Sequence, residues 1–150
     1  MSKKKRIAIN GFGRIGRAFF RMSYDHPDFE VVAINDLGDI NSLAYLLRYD
    51  TVYGHAPYTV EVAAGARVID GRKVRYVSER EPEKLPWKDE QIDLVVESTG
   101  IFTSYEKAKV HIPAGAQRVV ITAPVKDASP EGKTLLMGVN PSDLPTCSLT

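Results

Sequence analysis

The sequence predicts an α/β fold: an open, mainly parallel sheet wound by helices on both faces, with a small antiparallel insertion. Three observations carry this. Short apolar runs alternate with helix-period segments over the first and last thirds of the chain. A glycine-rich turn joins the first run to the first helix, and the middle third changes to closely spaced β-branched runs with Asp70-Gly71 between two of them.

Ile7-Ala8-Ile9 is a short buried strand, and Arg14 to Tyr24 a helix with Ile15, Ala18, Phe19 and Met22 inward, spaced by three or four residues. Pro27 disfavours helical geometry in His26 and ends that helix. Glu30 to Ile34 is a second strand and Asp39 to Arg48 a second helix, with Leu43, Leu46 and Leu47 inward; together these pieces make a β-α-β unit. After a loop over Tyr49 to Pro57, the runs Tyr58 to Ala63, Arg67 to Ile69 and Val74 to Val77 form the antiparallel insertion. Glu81 to Trp87 is a proline-broken connection with one helical turn. The alternation resumes with strand Asp93 to Glu97, helix Tyr105 to Ile112 and strand Arg118 to Ile121. A polar loop, Lys126 to Lys133, leads into a last apolar run, Leu135 to Val139.

Bulk properties bound the function. With 150 residues the chain is one domain, 1–150, and 43% hydrophobic with 26% charged residues is ordinary for a globular protein. A net charge of +1 gives no overall pull toward nucleic acid or an anionic membrane. Lys3-Lys4-Lys5-Arg6 reads as a solvated leader ahead of the first strand, with a localisation signal or nucleic-acid contact as the alternative. No apolar run approaches the roughly 18 residues of a membrane span, and nothing reads as a secretory signal. One cysteine, Cys147, excludes an intramolecular disulfide and offers no metal cluster. A cytoplasmic setting fits.

The chemistry is concentrated in Gly11-Phe12-Gly13-Arg14-Ile15-Gly16, a G-x-G-x-x-G lying between strand and helix as in Rossmann-type dinucleotide-binding folds. Gly11 permits the tight turn, Gly13 lets backbone approach a pyrophosphate, and Gly16 lets helix and strand pack closely. The helix start then offers free N–H groups and partial positive charge to phosphate. A glycine turn without ligand is the bland alternative. Asp36 ends the second strand, twenty positions after Gly16, where a carboxylate can accept from both adenosine ribose hydroxyls. The same charge would oppose a 2′-phosphate, so Asp36 predicts NAD over NADP; alternatively it caps the turn at Leu37-Gly38.

The stretches INGFGRIGR, VVAINDL, LLRYDTVYG, VVESTGIF, AGAQRVVITAP and MGVN together resemble the glyceraldehyde-3-phosphate dehydrogenase family, in family order over residues 6 to 140. The resemblance implies an NAD-dependent aldehyde oxidoreductase of glycolysis. It assigns Arg14 and Ile15 to the cofactor pyrophosphate, Asp36 to the ribose and the backbone of Arg80 to the adenine region. Thr99 and Gly100 form the turn at a strand's C-terminal end, Phe102 flanks the adenine, and Thr122 approaches the nicotinamide side. Taken without the family, Phe102 reads equally as core and Thr122 as a strand end. A related enzyme acting on erythrose 4-phosphate shows glutamate at the ribose position and CTG for STG. Asp36 and Ser98-Thr99-Gly100 favour the glyceraldehyde 3-phosphate branch.

The family's catalysis uses a cysteine thiolate, in an S-N-x-S-C-T-T-N stretch, that attacks the aldehyde, with a distant histidine as base. That stretch is not in the sequence. Cys147 lacks its pattern and reads as a buried structural cysteine at the start of an entering strand, and His26, His55 and His111 show no spacing to it. The expectation is therefore an NAD-binding half, cut just before the nucleophile, with no catalytic residue of its own. The family assembles as a homotetramer, and this segment is expected to be inactive alone and prone to self-associate. A stand-alone NAD-binding module is the other reading.

Overall fold

The computed structural model describes residues 3–63 and 66–150. Seven strands form one sheet in the order β5-β6-β7-β2-β1-β8-β9. β1 (Lys5–Asn10), β2 (Phe29–Asn35), β7 (Arg72–Val77), β8 (Leu94–Glu97) and β9 (Arg118–Ile121) run parallel to one another. β5 (Val60–Ala63) and β6 (Ala66–Ile69) add an antiparallel meander onto β7. The insertion therefore extends the main sheet. Asp70 and Gly71 both have positive φ, 45° and 78°, the backbone of a two-residue hairpin turn.

Alternation along the strands sends side chains to two cores. Ile7 and Ile9 face Phe20 of α1 (Arg14–Ser23) and Leu43 and Leu47 of α2 (Ile40–Arg48). Ala8, Ala33 and Val95 face the other way, toward Trp87, Tyr105 and Ala108, the last two on α3 (Tyr105–Ala108). The α/β class with both faces covered is as expected.

Several local expectations are corrected. On α1 the buried positions are Gly16, Arg17, Phe20 and Ser23, while Ile15 is 55% and Met22 81% exposed. Gly16 has to face the sheet for the helix to approach it, and that sets the helical phase one residue from the apolar count. On α2, Ala44 is buried and Leu46 exposed. Residues 49–57 are not wholly loop but hold a short ribbon, β3 (Tyr49–Asp50) against β4 (Gly54–His55). The helix after β8 is α for one turn, then 3-10 over Lys109–His111. Leu135 to Val139 is not a strand: Gly138 takes φ +80°, Met137 is 94% exposed, and Asn140 Oδ1 accepts from the Leu136 amide at 2.8 Å to hold a turn. The segment beside β9 is instead 148–150, with Leu149 bridged in parallel to Val119. The basic leader is only partly one, since Lys5 and Arg6 open β1 and Arg6 pairs with Glu30 and Glu90 at 3.1 and 3.4 Å.

Candidate nucleotide-binding crevice

The crevice is built by the C-terminal ends of β1, β2 and β8. β1 ends at Asn10, and Gly11 turns the chain with φ +90°. A Cβ there would lie 2.6 Å from the Thr99 amide nitrogen, so the turn after β8 presses on bare backbone. A Cβ on Gly16 would lie 2.2 Å from the Gly11 carbonyl oxygen, which explains the seat of α1. Gly13 differs: a Cβ there meets nothing within 4 Å, so its bare backbone looks into open space. Gly13 is also the N-cap of α1 and supplies no side-chain hydrogen bond. A helix that starts so offers its first amides to an anion.

A cavity of about 610 Å³ lies against these groups, within the range of small-molecule sites. Of the expected site residues, Gly11, Gly13, Asp36, Arg80, Thr99 and Phe102 line it. Arg14 and Ile15 are exposed on the first turn of α1 beside it, and Gly16 is buried behind the turn. Gly100, with φ +75°, follows Thr99 outside the lining, and Thr122 lies further off at the end of β9, its amide and hydroxyl both donating to the Glu97 carbonyl.

Asp36 is already engaged. Its Oδ2 accepts from the Phe12 amide at 2.6 Å and its Oδ1 from the Gly38 amide at 2.7 Å. It thus both caps its own turn and reaches the glycine loop, and each oxygen keeps a further lone pair for a ligand hydroxyl. Across the cavity the Glu81 amide holds the Glu79 carboxyl below its ordinary range. Beneath the glycine turn, Arg17 is buried with its Nη1 donating to the Phe12 carbonyl at 3.0 Å, and burial lowers its pKa.

Residues 5–105 match the family model described as glyceraldehyde 3-phosphate dehydrogenase, NAD binding domain. The chain belongs to the glyceraldehyde 3-phosphate dehydrogenase family. It is 49% identical over 141 residues to glyceraldehyde-3-phosphate dehydrogenase of Thermotoga maritima, covering 93% of this chain and 41% of the relative. Against the cytosolic enzyme of Trypanosoma brucei brucei it is 50% identical over 135 residues, 90% of this chain and 40% of the relative. The Geobacillus stearothermophilus enzyme gives 49% over 135 residues, with 90% and 39% covered. The chain thus spans about two-fifths of the length of these glyceraldehyde 3-phosphate dehydrogenases, and what it matches is their NAD-binding domain. The crevice fits that cofactor on its own geometry: an uncapped helix start for a diphosphate, a cradle kept free of Cβ at Gly13, and a carboxylate at the far end of the turn.

Sequence reasoning missed what lies under the crevice. Asn10, Asn35, Glu97 and His111 are buried polar residues joined by hydrogen bonds. The available signal was that β1, β2 and β8 each end an apolar run on a polar residue, Asn10, Asn35 and Glu97, in register with one another. Among the described residues, no group of three or more acidic, histidine or cysteine side chains is placed to hold a metal ion. No helix among them is long and apolar enough to cross a membrane.

Proposed function

We propose that the crevice binds NAD along the C-terminal ends of the strands and that the domain serves the phosphorylating oxidation of glyceraldehyde 3-phosphate. The diphosphate rests on the amides of the Gly11 to Gly16 turn, beside Arg14 and Ile15. Asp36 accepts from the adenosine ribose, the Arg80 backbone lies near the adenine and Phe102 flanks it, Thr99 and Gly100 form the turn at the end of β8 along which the dinucleotide lies, and Thr122 approaches the nicotinamide side. When bound, NAD supplies the hydride acceptor; these residues bind and orient it. The observation that carries the reading is that Asp36 and the uncapped start of α1 border one cavity, with Gly13 bare between them.

In this reading residues 1–150 hold the cofactor and do not provide the nucleophile. Two features support that. The Cys147 thiol is buried with Sγ 3.5 Å from the Leu144 carbonyl oxygen, and the three histidines are engaged elsewhere, His26 stacked on Phe29, His55 edge-on to Tyr49 and His111 with Glu97. The relatives named as cytosolic support a cytoplasmic setting. An exposed strip of Tyr45, Leu46, Tyr49, Val52 and Tyr53 supports self-association, in keeping with a homotetrameric full-length enzyme.

Calorimetric titration with NAD and NADP tests the cofactor claim. NAD should bind at least about tenfold tighter than NADP, a difference of about 1.4 kcal/mol, and Asp36→Ala should abolish most of that preference. Equal affinities in the unmodified chain would remove the role given to Asp36. The same protein should make no NADH on addition of glyceraldehyde 3-phosphate and phosphate. Turnover that disappears in Cys147→Ser would overturn the division of labour.

A further inference from the structure

A chain of hydrogen bonds, buried at its centre and part-buried at Thr99 and Glu79, crosses the floor of the crevice from Trp87 to Glu79. Trp87 Nε1 donates to His111 Nδ1 at 3.1 Å, and His111 Nε2 lies 2.9 Å from Glu97 Oε2. Glu97 Oε2 also accepts from Asn10 Nδ2 at 2.6 Å, while its Oε1 accepts from the Thr99 amide at 2.9 Å and the Thr99 hydroxyl at 2.5 Å. Asn10 Oδ1 in turn accepts from Asn35 Nδ2 at 2.7 Å, and Asn35 exchanges two bonds with the Glu79 backbone, both at 2.9 Å. His111 is 0% and Glu97 2% exposed. Apart from Thr99, none of these partners is accounted for by the direct contacts assigned to the dinucleotide.

We propose that His111 is a positioning residue for the nucleotide: held by Trp87 with its hydrogen on Nε2, it fixes Glu97, and through Glu97 the Thr99 turn that faces the cavity. This rests on the crevice being the NAD site. The sense of the chain is forced from its end. An indole N–H can only donate, so His111 Nδ1 must accept and the ring hydrogen must sit on Nε2, where it donates to Glu97. The Glu97 carboxylate then receives four donors, one for each lone-pair position.

The mechanical link is short. The Thr99 amide held by Glu97 lies where a Cβ on Gly11 would be 2.6 Å away, so any shift of that turn moves the glycine loop or the space above it. His111 also stands edge-on to Phe102, with ring centroids 6.0 Å apart, and so backs the wall assigned to the adenine. Without His111 the carboxylate would lose one of its two bonds on Oε2, and the Trp87 N–H would lose its acceptor.

The experiment uses the whole 150-residue chain and NAD, by calorimetry on protein shown folded by circular dichroism. His111→Gln keeps an acceptor for Trp87 and a donor for Glu97, and should bind NAD within about threefold of the unmodified chain. His111→Leu keeps volume and removes both, and should bind about tenfold or more weakly, the effect of one hydrogen bond to a charged group. If His111→Leu does not fold, Glu97→Asp, which keeps the charge but shortens its reach, takes its place with the same expectation. Nitrogen NMR of the unmodified chain reads the ring directly: a pyrrole-like Nε2 and an unprotonated Nδ1 are expected. A hydrogen on Nδ1, or a His111→Leu or Glu97→Asp chain that loses stability yet binds NAD as tightly as before, would overturn the positioning role. Failure of the unmodified chain to bind NAD would instead sink the proposed function.

Discussion

Gly13 and Gly16 are three residues apart, yet the two glycines answer to different demands. At Gly16 an added methyl would meet the Gly11 carbonyl oxygen at 2.2 Å and Ile9 Cγ2 and Ser98 Oγ at 3.1 Å, all parts of the packed strand–helix junction. Gly16→Ala should therefore lower stability by about 1–3 kcal/mol in urea unfolding, the usual range for overpacking. At Gly13 the methyl has room and the backbone, φ −69° and ψ −158°, is open to alanine. Gly13→Ala should stay within about 1 kcal/mol of the original stability while weakening NAD in calorimetry, because the methyl takes space beside the diphosphate. An unfolded Gly13→Ala protein, or one with unchanged affinity, would count against that split. Both glycines and Asp36 were legible in the sequence because their role is set by neighbours a few positions away and by one strand–helix step. Glu97 and His111 were not, since their partners come from β1 and from the Trp87 segment, up to 87 residues distant, and a histidine on a short helix carries no mark of what its ring will meet.

At the level of elements, caps and turn residues did more to fix boundaries than apolar periodicity. α2 starts one residue after Asp39 because the Asp39 carboxylate accepts from the Ser42 amide at 2.8 Å, and the same bond holds its pKa below the ordinary carboxylate range. Asp39→Ala should lower the melting temperature by a few degrees, measured by circular dichroism, with no loss of NAD affinity since Asp39 does not line the crevice. Asp70-Gly71 likewise announced its hairpin. Periodicity served less well on α1, where a glycine had to face the sheet and displaced the apolar stripe, and on the run Leu135 to Val139, where composition suited a strand but Gly138 and the Asn140 side chain close a turn. Strand signals report what can pair, and here the segment around Leu149 took the place beside β9.

Across the whole molecule, the parallel order of the central strands followed from the β-α-β pattern, whereas the seating of β7 beside β2, Arg75 opposite Ala33, rests on long-range pairing that no local signal gives. Charge is distributed by end: Arg6, Glu30, Glu90 and Arg75 form ion pairs at one end of the sheet, and the crevice occupies the other. Several carboxylates are held below their ordinary range by backbone amides, Asp39 by Ser42, Asp50 by Tyr53 and Val52, and Asp70 by Thr59. Because each is more acidic folded than unfolded, its contribution is present above the unfolded pKa and is lost as pH falls through the folded one. The melting temperature should be level above about pH 5 and fall steadily on acidification below about pH 4; a rise on acidification would contradict these pairings. Asp36 carries a separate implication. Because the Phe12 and Gly38 amides already hold its carboxylate, seating a nucleotide under the proposed function would cost little ordering entropy at this side chain.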